Sequence, residues 1–512
     1  MVERHAYKIG RYLLDTLTSG MYDNPLCIYR EYIQNSADAI DAASRACAIP
    51  RSSYEIRITI EPREHRIEIS DNGFGLAAEA AERILVSVGD SDKFGNRERG
   101  FRGIGRLGGV AYCESLRFRA KAAGEKKETV SRWDCQRIKQ LLSPSNRPAR
   151  SLTLQDLIEE CVDVERQDPN CRVDESYFKV ELENVRCVKN VLLDARAVSH
   201  YLSQVAPVPF DNMRFSYGDG LHDWLNKVVP NYSVYRVYLN GEEILKPYSQ
   251  TVTVRKGQTD EITDVVKFDI TDQEGKAIAH GWRGIRRMNL AQLSAEDGVD
   301  GIRIRVGNIL LGDKSLLDGT FQEARFNKYN VGEIHVVDPG LVPNARRDNF
   351  EDGDLKSAFF TSVERDLAVP LRKTIRDGSK KNAARRPIKH ADEAILLVNN
   401  QSKKGFVSEG HKKEAIKDLR GVRSELEGLQ KKRNTDEEIK DEAGKRLGKI
   451  DDLVNTLEEC KPDITAMLAG NFSRTERGII QMVLEKVYEI YPKVTDRVRL
   501  IEKVLAAIGR KR

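Results

Sequence analysis

Apolar positions recur every three to four residues in two early stretches, "YKIGRYLLDTLTSG" (7–20) and "LCIYREYIQNSADAIDAASRA" (26–46), which predicts two amphipathic helices. Alternation of period two follows in "YEIRITIEP" (54–62), "HRIEISDNG" (65–73), "SLRFRAKA" (115–122), "KETVSRWDC" (127–135) and "YFKVELENV" (177–185), which predicts strands. Strands bunched after helices point to an α+β sandwich over residues 1–190, with helices on one sheet face. A second mixed pattern covers 191–375, where "SVYRVYLNGEEIL", "DVVKFDITDQEGKAIAHGWRGI" and "GIRIRVGNILL" read as strands ahead of "EIHVVDPGLVPNARRDNF". Residues 376–400 are basic and rich in small residues, the composition of a linker or exposed arm.

Residues 401–512 read as helical throughout. Ile416, Leu419, Val422, Leu426 and Leu429 form one stripe, and Ile439, Ala443, Leu447, Ile450, Leu453 and Leu457 form another. Together they predict a helical hairpin with coiled-coil character. Thr435 with Glu438, and Ser473 with Glu476, have the spacing of capping boxes that open new helices.

One feature of the 26–46 helix breaks the pattern. Glu31, Asn35 and Asp38 fall at i, i+4 and i+7, on one side of the helix. Asn and Asp are mediocre helix formers and gain nothing from a core. Downstream, a strand ends in Asp71-Asn72-Gly73-Phe74-Gly75, where two glycines let a ligand approach the main chain. Residues 87–109 then hold seven glycines in 23 positions, with Lys93, Arg97, Arg99, Arg102 and Arg106 among them. A glycine-rich loop leading into a helix offers backbone N–H groups and a positive helix end to phosphates. Alone, these pieces have plainer readings as a solvated face, a turn and a flexible loop. Their order and spacing make one constellation.

The totals narrow the class. At 512 residues the chain is long enough for about three domains. Its 32% of charged residues suits a globular protein, and no apolar run reaches the ~20 residues of a membrane span. The N-terminus has no signal-peptide core, and the eight cysteines are scattered without a C-x-x-C pair. A reducing cytoplasm is the expected setting. The net charge of +5 neither demands nor excludes a nucleic-acid partner.

"EYIQNSADA" (31–39) resembles the first helix motif, E-x-x-x-N-[AS]-x-D-A, of the GHKL ATPases, the family of gyrase, heat-shock protein 90, histidine kinases and MutL. "DNGFG" resembles their D-x-G-x-G turn, and "GFRGIGRLGG" (100–109) resembles their glycine lid. "ESYFKVELENV" (175–185) stands where the family has a G-T-x-[FV]-x-V strand, with Glu175-Ser176 in place of Gly-Thr. "RYLLDTLTSGMYDNPLCIYREYIQNSADAIDAA" (11–43) and "DPGLVPNARRDNF" (338–350) are similar to HtpG-type heat-shock protein 90 chaperones.

The resemblance implies a Bergerat-type α/β sandwich over 1–190, a transducer-like middle domain over 191–375, and ATP with Mg²⁺ as ligands. It implies Glu31 as general base, Asn35 as the Mg²⁺ ligand, and Asp71 as acceptor for the adenine amino group. Asp38, Gly73, Gly75, Lys93, Gly100, Arg102, Gly103, Ile104, Gly105 and Ser176 complete the implied nucleotide site. Arg347 is the implied arginine brought to the γ-phosphate from the middle domain. A homodimer and a protein client or partner subunit are implied as well, with chaperone-like work or a role in bacterial defence. The helical tail resembles no chaperone dimerisation domain. Arg372 to Lys389, with eight cations against Asp377, leaves a DNA-clamp reading open, as does a nucleotide sensor with little hydrolysis.

Overall fold

The computed structural model describes residues 9–18, 24–47, 49–89, 103–143, 145, 152–254, 258–288, 291–432, 435–468, 472–491 and 494–509. The chain divides into two compact units, Met1–Lys373 and Thr374–Arg512.

The first sheet is built from β1 (Glu55–Glu61), β2 (Arg66–Asp71), β3 (Ser115–Lys121), β4 (Glu128–Asp134), β5 (Val162–Gln167), β6 (Tyr177–Glu183), β7 (Arg236–Leu239) and β8 (Glu242–Glu243), in the order β5-β4-β3-β6-β2-β1-β7-β8. Alternation does its expected work. Ile56, Ile58, Ile60, Ile67 and Ile69 are buried in the same core as Ile28, Tyr32, Ile33, Ala37 and Ile40 of the Cys27–Cys47 helix. The opposite face carries Arg57, Arg66, Glu68, Arg117, Arg119 and Lys179.

The first layer does not end at residue 190. β7 pairs parallel to β1, with Ile56 beside Val237 and Ile58 beside Leu239. Val237, Leu239 and Ile244 enter the first core, as do Val198 and Leu202 of the Ala195–Val205 helix. Burying those side chains draws the strand away from the middle segment it follows in sequence. β5 was not expected either. Its "VDVERQ" is charged and mostly exposed, as an edge strand tolerates.

The second sheet comprises β9 (Thr251–Thr253), β10 (Thr259–Thr271), β11 (Ala277–Arg286), β12 (Gly301–Val306), β13 (Ile309–Leu311) and β14 (Val331–Val336), ordered β13-β12-β14-β11-β10-β9. Its interior holds a charged knot. The Glu333 carboxylate accepts from Lys246 at 2.9 Å, Tyr248 at 2.9 Å and Arg305 at 2.5 Å, and lies 3.1 Å from His335 Nε2. All these side chains are buried. Burial opposes the Glu333 charge, but Arg305 and Lys246 outweigh it and hold the carboxyl well below its usual range. Arg305 also donates to the Gln204 carbonyl at 2.7 Å, and Arg303 reaches Gln204 Oε1 at 3.3 Å. The sheet is thereby fastened to the end of the Ala195–Val205 helix.

In the second unit, the helices Glu409–Lys431 and Glu437–Glu459 form the expected hairpin, with Ile416, Leu419, Leu426, Leu429, Ile439, Ile450 and Leu457 in its core. Asp436, rather than Thr435, caps the second helix by accepting from Glu438 N. The Ser473–Glu476 capping box is present. Residues 376–400 are not a linker: they belong to the continuous helix Val369–Lys404. Ile388, Ala391 and Val398 are buried against the hairpin, and that apolar spacing overrides the basic composition.

Candidate nucleotide site

The Cys27–Cys47 helix buries the polar residues Glu31 and Asp38, whereas Asn35 is partly exposed. Glu31 Oε1 accepts from Arg30 Nε at 3.2 Å and Nη2 at 3.0 Å. Burial works against the Arg30 charge, but the adjacent carboxylate outweighs it and raises the guanidinium pKa above its ordinary range. Glu31 Oε2 faces Gly105, where an added Cβ would lie only 2.4 Å away. Only glycine lets the Gly105–Ala111 segment approach the carboxylate so closely. Tyr32, one residue on, pins that segment: its hydroxyl donates to Arg106 O at 3.1 Å and accepts from Gly109 N at 3.1 Å.

The D-x-G-x-G turn packs on the same helix. An added Cβ at Gly73 would sit 2.9 Å from the Ala39 carbonyl carbon, and Phe74 N donates to Ala39 O at 3.3 Å. Gly75 has φ +66°, and a Cβ there would meet Lys121 O at 2.0 Å. Asp71 is buried. Burial raises its pKa to about 6, against the opposing pull of the Ser36 hydroxyl and the Gly73 N–H. Oδ1 accepts from Gly73 N at 3.0 Å, while Oδ2 is buried without a hydrogen-bond partner. Such an orphaned acceptor is costly unless a donor reaches it, and the adenine amino group is a donor of that kind.

Ser176 stands beside the D-x-G-x-G turn. It donates to Gly73 O at 2.7 Å and so braces the turn. Gly103 (φ +67°) and Ile104 lead into the Gly105–Ala111 segment. Lys93, Gly100 and Arg102 lie outside the described residues.

The 338–350 stretch reaches this site. Arg30 Nη2 donates to Arg346 O at 3.0 Å. The turn is closed by Arg347 N donating to Asn344 O at 3.0 Å and Asn344 N donating to Asn349 O at 2.9 Å. Arg347 takes the left-handed φ of 56° and is buried, whereas the Arg346 side chain is exposed. Sequence reasoning missed Arg30, Tyr32 and Ser36. Their signal was a cation and two hydroxyls flanking the acid–amide stripe within a buried helix.

Residues 28–161 match the family of histidine kinase-, DNA gyrase B- and HSP90-like ATPases. Over this segment the chain resembles the GHKL ATPases. Similarity to HtpG chaperones supports this: 27% identity over 142 residues to that of Methylibium petroleiphilum, covering 24% of this chain and 22% of the relative. The Escherichia coli K12 chaperone is 27% identical over 141 residues, again 24% of this chain and 22% of that protein. The chain thus spans about a fifth of the length of the HtpG relatives it matches. Among solved structures, the ATPase region of Saccharomyces cerevisiae topoisomerase II aligns with 67% of this chain and 85% of its own, at 11% identity and a TM-score of 0.37. No helix among the described residues is long and apolar enough to cross a membrane.

Proposed function

We propose that this protein binds and hydrolyses ATP, and that nucleotide-driven closure does conformational work on a macromolecular partner, as in an HtpG-like machine. The observation that carries the reading is the setting of Glu31. Its carboxylate lies between the glycine-rich segment at Gly105 and Arg30, which also holds the 338–350 turn. A base so placed can take a proton from the water that attacks the γ-phosphate. Asp71 Oδ2 accepts the adenine amino group, and Gly73 and Gly75 give the base room. Arg347 supplies charge to the γ-phosphate from the second sheet's side of the site. Asn35 offers its amide oxygen to Mg²⁺, a hard cation that takes one or two protein oxygens beside the phosphates. Bound Mg²⁺ would neutralise phosphate charge.

The partner is a protein client or subunit, and the working form is a homodimer. Ile479, Met482 and Ile490 of the Arg474–Ile490 helix are exposed apolar residues in the second unit, which suits a further interface there. The DNA-clamp alternative has less behind it. Arg372, Lys380 and Arg385 are engaged by Glu364, Asp377 and Glu442, which leaves fewer cations of the basic run for phosphates. Titration calorimetry with ATP tests the reading: micromolar-range binding lost in Asp71→Asn supports it, and unchanged binding in that variant refutes the site.

A further inference from the structure

The outer face of the first sheet holds a cavity of about 360 Å³, on the side opposite the Cys27–Cys47 helix. Its floor is a single row of residues in register across four neighbouring strands. Arg57 of β1 pairs with Ser70 of β2, Ser70 with Lys179 of β6, and Lys179 with Arg119 of β3. Paired residues point to one face, so three cations and a hydroxyl line up beneath the cavity. Lys179 directly opposite Arg119 is a like-charge cross-strand pair, an arrangement that costs stability unless an anion offsets it.

Acids offset part of that charge. Glu55 accepts from Arg57 Nε at 2.6 Å, Glu68 lies 3.0 Å from Lys179 Nζ, and Glu128 takes the Arg119 guanidinium. Arg57 uses its Nε in that bond, and among the described residues Lys179 pairs with the one carboxylate of Glu68. Donors on both therefore remain for a ligand. Asn72 and Asn170 add neutral amides to the walls, and Tyr177 adds a ring. The volume falls within the range of small-molecule sites.

The wall formed by residues 170–171 is held in place. Lys121 is fully buried, and its ammonium donates to the carbonyls of Arg172 at 3.2 Å, Val173 at 2.9 Å and Glu175 at 2.6 Å. The next residue, Ser176, donates to Gly73 O at 2.7 Å. The cavity also shares β2 with the nucleotide site. Asp71 lines the outer cavity together with its neighbours Ser70 and Asn72, so the two sites meet at this residue.

We propose that this cavity binds a small anion carrying phosphate or carboxylate oxygens on the outer face of the sheet, next to the proposed ATP site, which it meets at Asp71. The Arg57–Ser70–Lys179–Arg119 row supplies the charge and the hydroxyl, and the two asparagine amides supply neutral donors. Calorimetry on the full chain with pyrophosphate, and in a parallel arm with malonate, tests this and tells a phosphate ligand from a carboxylate one. Arg57 and Lys179 are partly exposed, so Arg57→Gln and Lys179→Met should fold normally, as equal melting temperatures would verify. The expected result is saturable binding of one probe, weakened about tenfold or more in each variant. Absence of saturable binding of both probes up to about 10 mM, or binding undiminished in both variants, would overturn the proposal.

Discussion

Arg30 donates from its guanidinium to the carbonyl of Arg346, a residue 316 positions further along the chain, at 3.0 Å. The same nitrogen holds Glu31 Oε1 at 3.0 Å. One side chain thus ties the acid proposed for catalysis to the turn that carries Arg347. Removing it should leave nucleotide binding nearly intact and disturb the chemical step. Arg30→Met is expected to lower kcat by about tenfold or more with a smaller change in ATP affinity. Paired turnover and binding measurements check this.

Arg347 sits in the left-handed region, where glycine is at ease and other residues are strained. Arg347→Gly should therefore keep the turn while deleting the guanidinium. Hydrolysis should slow by about tenfold or more, measured well below the melting temperature of both proteins. Arg346→Ala, which removes an exposed side chain and keeps the carbonyl, serves as the comparison. Loss of activity in Arg346→Ala alone would shift the proposed role by one residue.

Asp71→Asn should abolish ATP binding, because an amide –NH₂ and the adenine amino group would oppose each other as donors. The wild-type site should also sense pH. The fold raises the Asp71 pKa from 3.8 to about 6, so acidification through pH 6 protonates the acceptor and weakens ATP binding. The sign for stability is opposite. Between those two values the native carboxyl holds a proton that the unfolded chain has lost, so this group's contribution to stability falls as pH rises through the window. ATP titrations at pH 5, 6 and 7 should show tighter binding at each step up.

The grouping of the candidate site residues was legible because it is local. Glu31, Asn35 and Asp38 share a helix, and the glycine turns declare themselves by composition. What escaped depends on distant pairing. β7 joins β1 across more than 170 residues of chain, and only burial of Val237 and Leu239 settles it. The 376–400 helix was hidden by its charges, although Ile388, Ala391 and Val398 already had helical spacing. Arg30 reads as an ordinary surface cation until the Arg346 turn arrives from the second sheet.

Glu333 offers a test of the scaffold alone. Glu333→Gln leaves Lys246 and Arg305 buried without their carboxylate, and removing one partner from a buried charge network costs about 3–5 kcal/mol. Denaturant unfolding should register the loss at neutral pH. A cost under about 1 kcal/mol would mean that the knot contributes little.

Steady-state phosphate release from the intact chain at saturating ATP and Mg²⁺, compared with Glu31→Ala, tests the central claim most directly. Steady release is expected from the wild-type chain, reduced about a hundredfold in the variant, the usual contribution of a positioned base. No release from the wild-type chain, or equal rates from both, would contradict the assignment of Glu31 and the ATPase reading built on it.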